Sequence, residues 1–372
     1  MSKELPAIIV SVLLFVSLST AFAPPGLPQA APDTSLAMPV RAVWMHPGTF
    51  GTETAAAVEK IRKTLDEYKL AGIKTLIMLV KDTAGYVYYK SDLAVAAPGY
   101  DWDFFGTFLA EARQRQLEVH PWFCVFPESA IVGQVSKHPE WLIAGPRREF
   151  VRVADPALPA VRNYERSLML EVAERYKTDW IHLDYIRFPN KPSEPYFSFS
   201  PETLRLFKEY SGVDLNEVKI HDSGYTFWNV WLEWNRDQVT AFVRELKDAL
   251  KATGRTIKVS AAVFLDADTA KVLIGQDWAA WAKEKLVDML CPMIYTNDLK
   301  YFERYSQRAV ANGHGRCQVC IGIGIGSSAN QNTPEGMIEQ MRVCKSVGAD
   351  GVAFFSGSAL TPPFLEKLKA AK

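Results

Sequence analysis

Eight short runs rich in β-branched and aromatic residues recur along this 372-residue chain, and each is followed by a stretch of helical periodicity. The runs cover residues 40–44, 74–80, 118–125, 180–185, 258–264, 287–295, 318–323 and 351–355. The helical patterns cover 53–70, 102–115, 159–176, 201–210 with 227–252, 278–285, 299–311, 334–346 and 362–371. Asp101, Ser200-Pro201 and Thr333-Pro334 mark helix starts, because a side-chain oxygen caps the first turn and proline fits inside it. Strands that alternate with helices pair in parallel through right-handed crossovers, and eight such units close a ring. An open doubly wound sheet would carry a glycine-rich phosphate turn after its first strand, and none is there. The expected fold is α/β, a single-domain (β/α)8 TIM barrel over residues 40–372.

Upstream of the barrel the chain reads as a targeting segment. Lys3 precedes an apolar stretch from Ala7 to Phe22, and Ala21-Phe22-Ala23 has the small-x-small form of a cleavage site. The reading is a signal peptide over 1–23 and a Pro/Ala-rich tether over 24–39, hence a secreted or periplasmic protein. Glu4 and Pro24 depart from that pattern, so membrane attachment follows only if the segment stays uncleaved. No cysteine lies near the site to carry a lipid.

Composition narrows the partners. With 42 basic and 42 acidic side chains there is no positive excess for a nucleic acid. Ten tryptophans can build a core or line a sugar cleft. The five cysteines make no disulfide framework. Cys317 and Cys320 have redox spacing, but they lie in a strand-like run whose residues three apart face opposite ways, so they read as structural thiols.

In such a barrel, chemistry belongs at the carboxyl ends of the strands. There the chain places His46, Lys81, Asp82, Glu128, Asp184, Arg187, Asp266, Asp268, Tyr295, Asp298 and Ser356. Asp184 stands out, because it ends the apolar run Trp180-Ile181-His182-Leu183 and burying its charge is costly without partners. Strand alternation puts His182 on the same face, with His120 and Trp122 joining the pocket. Several carboxylates with aromatic walls and no metal cluster suit glycoside hydrolysis, which uses one carboxyl as acid and an ionised one as nucleophile or base. Asp184 is assigned the ionised role, with Arg187 keeping it anionic and His182 orienting it. The plainer alternative is a structural Asp184–Arg187 ion pair.

Other features have plainer readings. Asp82, Glu128, Asp266 and Asp268 are individually solvated loop carboxylates. Trp44 and Trp122 serve sugar stacking as readily as core packing, and His46 is a hydrogen-bonding residue. Trp228, Trp231 and Trp234, three apart, read as a helix face packed on the barrel. The Gly-Ile-Gly-Ile-Gly run at 322–326 reads as a barrel loop.

A series of segments then resembles one family. They include Arg41-Ala42-Val43-Trp44, Tyr88-Tyr89-Lys90-Ser91-Asp92-Leu93, Leu117 to Phe123, His138-Pro139-Glu140-Trp141-Leu142, Asp155-Pro156, Asp179 to Pro189, Trp234-Asn235-Arg236-Asp237, Asp277-Trp278 and Gly351 to Ser356. In this order they resemble the bacterial glycosyl-hydrolase-like ten family, whose barrels are assigned to glycan cleavage and which includes an enzyme that cuts denuded peptidoglycan strands. The resemblance implies Asp184 as the main acid. Analogy with barrel glycosidases that place nucleophile and acid on strands four and six selects Asp298 as its partner, with Asp266, Asp268, Glu128 and Asp82 as the alternatives. Substrate binding falls to Trp44, His46, His120, Trp122, His182, Arg187 and Tyr295. Two departures stand out: the family commonly has a second acid where this chain has Tyr185, and a glutamine where it has Met293.

The expected function is therefore a glycoside hydrolase acting on a bacterial polysaccharide or oligosaccharide, peptidoglycan or an exopolysaccharide, with no cofactor and no metal. The alternative is a catalytically inactive carbohydrate-binding barrel. A metal-dependent amidohydrolase ranks last, because the first strand lacks a His-x-His pair.

Overall fold

The structure, a computed structural model, describes residues 36–145, 147–191, 195–217 and 225–371. The expected signal peptide, and the tether as far as residue 35, lie outside these residues. Eight strands close a wholly parallel barrel. They are β1 (Val40–Met45), β2 (Thr75–Lys81), β3 (Glu118–Cys124), β6 (Trp180–Asp184), β7 (Lys258–Phe264), β8 (Met289–Met293), β9 (Gln318–Gly324) and β10 (Gly351–Phe355). Around the ring the order is β1-β10-β9-β8-β7-β6-β3-β2, so each strand pairs with the barrel strand next to it in sequence and β10 closes on β1. The remaining strands, β4 (Leu142–Ala144) and β5 (Phe150–Ala154), form an antiparallel hairpin between β3 and the helix Pro159–Tyr176. The sequence pattern does not predict this hairpin; its strands are three and five residues long, and β5 is half exposed.

The helix starts follow from local chemistry. Ser200 accepts a hydrogen bond from Thr203 N, and Thr333 accepts one from Gly336 N, each with proline in the first turn. The expected cap at Asp101 is corrected: Asp103, two residues on, accepts from Gly106 N at the head of the helix Phe104–Gln114.

Two apolar layers form. Inside the ring, Ala42, Trp44, Leu79, Trp122, Ala262 and Cys291 fill the barrel. Outside it, the helices bury their apolar faces on the opposite sides of the same strands. Trp231 and Trp234 stack 5.5 Å apart in this outer layer and both pack on Phe207 of the helix Pro201–Ser211, so they are packing residues, held by a neighbouring helix. Gly322 and Gly324 lie within β9 itself. A Cβ on Gly322 would come within 2.8 Å of Pro292 O and 3.4 Å of the Tyr295 ring, so glycine there lets β8 approach. The five cysteines are free thiols.

At the amino-terminal end of the barrel the buried Arg41 guanidinium donates to four carbonyl oxygens, those of Leu36, Ala71, Leu368 and Ala371. It thereby ties the entry of the chain to the last helix, and Leu36 and Met38 are buried beside it. Among the described residues no helix is long and apolar enough to cross a membrane.

Candidate active site

The carboxyl ends of the strands surround a cavity of about 450 Å³. Asp184 and Asp82 both line it, with Trp44, Trp122, Tyr88, Tyr185, Tyr295, Phe355 and His46 as aromatic walls. Cys124 lies at the floor in register with Asp184. Burial pushes its thiol up, and the charges of Asp184 and Asp82 add to the effect, so both carboxylates act on the same point of the floor.

Asp184 reaches the cavity because β6 ends there. Tyr185 then adopts a left-handed conformation at φ 50°, an uncommon one for a non-glycine residue. That turn brings Tyr185 N to Asp184 Oδ1 at 2.6 Å and swings the ring to the rim, where it is 37% exposed. Arg187 Nη1 meets the same oxygen at 3.3 Å, and its guanidinium lies 4.3 Å above the Tyr185 ring. The sequence suggests that Arg187 keeps Asp184 anionic. Burial outweighs it: the carboxyl is held above its ordinary value by desolvation, against the opposing pull of Arg187 and of the Tyr185 N–H.

Asp82 reaches the cavity through a backbone irregularity. The pairing of β2 with β3 shifts register between Leu79 and Lys81, and this bulge turns Lys81 out of the barrel. Asp82 then accepts from Ala84 N and Tyr86 N on Oδ1, and from the Tyr88 hydroxyl on Oδ2 at 3.0 Å. Three donors fix both oxygens.

Lys81 enters a buried cluster behind this turn. Its ammonium meets Glu128 at 2.8 Å and Glu165 at 3.1 Å, and donates to the carbonyls of Cys124 and Val125. Burial works against the lysine charge, but the two carboxylates overcome it and raise its pKa. Glu165 is pushed up by burial and by Glu128, with Lys81 opposing. Removing this cation would leave a buried charge uncompensated. Lys81→Met is expected to lower the unfolding free energy by about 3–5 kcal/mol in urea titrations at pH 7. Glu165→Gln should change it by less than Lys81→Met does, since Glu128 still faces the lysine and no buried charge is left unpaired. Because the folded pKa of Glu165 is raised, the folded chain binds the extra proton and stability declines as pH climbs above the usual carboxylate range. The Glu165→Gln variant should lose that slope.

The other expected site residues are distributed differently. Trp44, His46, Trp122, Arg187 and Tyr295 line the cavity with Asp184. The His46 ring meets Trp122 edge to face at 4.9 Å, and Tyr295 stacks on Phe355 at 5.3 Å. Burial lowers the His46 pKa. The Tyr295 hydroxyl is buried with no hydrogen-bond partner among the described residues, and burial, reinforced by Asp184, holds its pKa well up. His120 and His182 do not line the cavity. They lie deeper in the barrel, and His182 bonds to Trp44 and Ser260 rather than orienting Asp184.

Asp298 lies apart from the cavity. It is exposed and caps the helix Leu299–Gly313 by accepting from Tyr301 N at 3.0 Å, and it is not among the cavity walls. Asp266 is likewise a helix cap, paired with Arg308, which also holds Asp268. Glu128 is committed to Lys81. Asp82 is thus the carboxylate that shares the cavity with Asp184. The two departures from the family pattern, Tyr185 and Met293, both fall on its walls.

Comparison with known proteins adds a family, two curated relatives and a solved structure. A family model described as glycosyl hydrolase-like 10 matches residues 39–341. Glycosyl hydrolase YngK of Bacillus subtilis is 23% identical over 297 residues, covering 69% of this chain and 54% of that protein. Glycosyl hydrolase DigH of Escherichia coli is 22% identical over 269 residues, covering 62% of this chain and 56% of that protein. The chain thus spans about half the length of these curated relatives. Among solved structures, the PgaB (BpsB) glycoside hydrolase domain from Bordetella bronchiseptica superposes with a TM-score of 0.73 at 14% identity. That match covers 89% of this chain and 98% of the domain, and it shows a shared fold.

Proposed function

We propose that this chain, which belongs to the glycosyl hydrolase-like 10 family, hydrolyses glycosidic bonds in a bacterial polysaccharide, peptidoglycan or an exopolysaccharide. The observation that carries the reading is the pair of carboxylates, Asp184 and Asp82, facing one aromatic-walled cavity at the carboxyl ends of the strands. Their environments divide the labour. Asp184 is buried, which favours its protonated form, and it acts as the acid that protonates the departing glycosidic oxygen. Asp82 is held by three donors and acts as the anion, attacking the anomeric carbon or activating water. Trp44, Trp122, Tyr185 and Tyr295 offer ring faces and edges to sugar rings. Export to the periplasm or medium, proposed from the pattern of residues 1–23, would bring the chain to such a substrate.

The test is direct: the full chain is incubated with soluble denuded glycan strands or with exopolysaccharide, and new reducing ends are counted. Turnover supports hydrolysis. Calorimetric binding with no product over a long incubation would instead identify a carbohydrate-binding barrel, the reading that Tyr185 and Met293 on the cavity wall favour.

A further inference from the structure

Below the cavity an unbroken hydrogen-bonded chain crosses the barrel interior, and its geometry points to Ser260 as a positioning residue for the indole floor of the pocket. Trp44 Nε1 donates to His182 Nε2 at 3.1 Å. His182 Nδ1 and His120 Nδ1 each lie 2.9 Å from Ser260 Oγ, and His120 Nε2 lies 3.1 Å from Glu118 Oε1. The other Glu118 oxygen accepts from Trp180 Nε1 at 2.8 Å. Every side chain in this series from Trp44 to Trp180 is buried except that of Glu118, at the amino-terminal mouth.

Only one placement of hydrogens fits. The indole N–H is a donor and nothing else, so His182 Nε2 must accept. A neutral His182 then carries its hydrogen on Nδ1 and donates to Ser260 Oγ. The serine has a single hydrogen left, which goes to His120 Nδ1. His120 therefore carries its own on Nε2 and donates to Glu118. Burial lowers the pKa of both histidines, in keeping with neutral rings. A reversed chain would set His182 Nε2–H against the indole N–H, and the buried indole would lose its acceptor. Trp44 and Glu118 dictate the two tautomers, and the hydroxyl joins the two buried rings, so that through His182 it fixes the plane of Trp44. That plane matters because Trp44 lines the cavity beside Phe355, its ring centroid 6.0 Å away.

Only the kinetic arm of the test rests on the proposed hydrolase activity. The full chain is labelled with 15N-histidine, and the tautomers of its six histidines are read from ring-nitrogen shifts. The expected result is His182 protonated on Nδ1 and His120 on Nε2. Ser260→Ala should leave both tautomers in place, since Trp44 and Glu118 dictate them. It should move the Nδ1 shifts of His182 and His120 and lower the melting temperature, because two buried ring nitrogens lose their partner. It should also lower kcat/KM on the cleaved glycan by about tenfold, as expected for a misplaced wall rather than a lost reacting group. Ser260→Thr, which keeps an Oγ, should restore the Nδ1 shifts and the rate together. Wild-type His182 protonated on Nε2 overturns the inference, and so does a Ser260→Ala chain whose His182 and His120 Nδ1 shifts match those of the wild type. If Ser260→Ala fails to fold, the wild-type tautomers still decide. If the wild type cleaves no glycan, the tautomers decide independently of the hydrolase reading.

Discussion

Asp184→Asn is expected to abolish reducing-end release from the glycan, with a loss of about 10²–10⁴-fold, the range for removing a positioned acid or base. The amide is nearly isosteric and still accepts from Tyr185 N, so the turn at φ 50° is retained. Stability should move the opposite way. The folded pKa of Asp184 is raised by burial, so the folded chain binds a proton that the unfolded chain has released, and ionisation above that range costs stability. An amide does not ionise. The melting temperature of the Asp184→Asn variant at pH 7–8 should therefore equal or exceed that of the wild type, a trade of stability for function. The role itself is tested with an activated substrate. An aryl glycoside whose phenolate leaves without protonation bypasses the need for an acid, so the defect should shrink on that substrate. An equal defect on both substrates would assign Asp184 to attack rather than to proton donation. Wild-type rates on the glycan would remove Asp184 from the chemistry altogether.

The barrel is legible because its signal is periodic and repeated. All eight expected runs correspond to barrel strands, and the helices 159–176 and 334–346 match to the residue. The hairpin of β4 and β5 is not, since strands of three and five residues leave too short a pattern. Within the site, alternation correctly puts His182 and Asp184 on the inner face of β6. It does not report depth. Two residues along a strand are about 6.6 Å apart, enough to move a side chain from the mouth of the barrel to the layer beneath. Hence His182 supports Trp44 instead of Asp184. The position of Asp298 is not legible for a different reason, because a carboxylate between strand and helix serves equally as a pocket acid or as an N-cap. The helical pattern beginning at Leu299 is the available clue to the second role. Asp82 reads in the sequence as one of several strand-end carboxylates open as the partner acid and does not stand out among them, since the bulge that decides whether Lys81 or Asp82 enters the barrel leaves no periodic trace.

Asp82→Asn set against Asp298→Asn should separate these two carboxylates. If Asp82 is the anion of the pair, its amide fails on the glycan and on the activated aryl glycoside alike, because an easily expelled leaving group does not replace a missing nucleophile or base. The loss should again be about 10²–10⁴-fold in kcat. The fold should tolerate the change. The Asn oxygen can keep the two backbone donors, Ala84 N and Tyr86 N, while the Tyr88 hydroxyl reorients toward an amide. Asp298→Asn should leave kcat within about twofold, since asparagine caps helices about as well as aspartate. The two variants thus remove the same charge from the loops that follow β2 and β8, with opposite outcomes. A collapse of activity in Asp298→Asn, with Asp82→Asn active, would mean that the exposed cap moves into the cavity during turnover, and the carboxylate pair assigned here would be the wrong one.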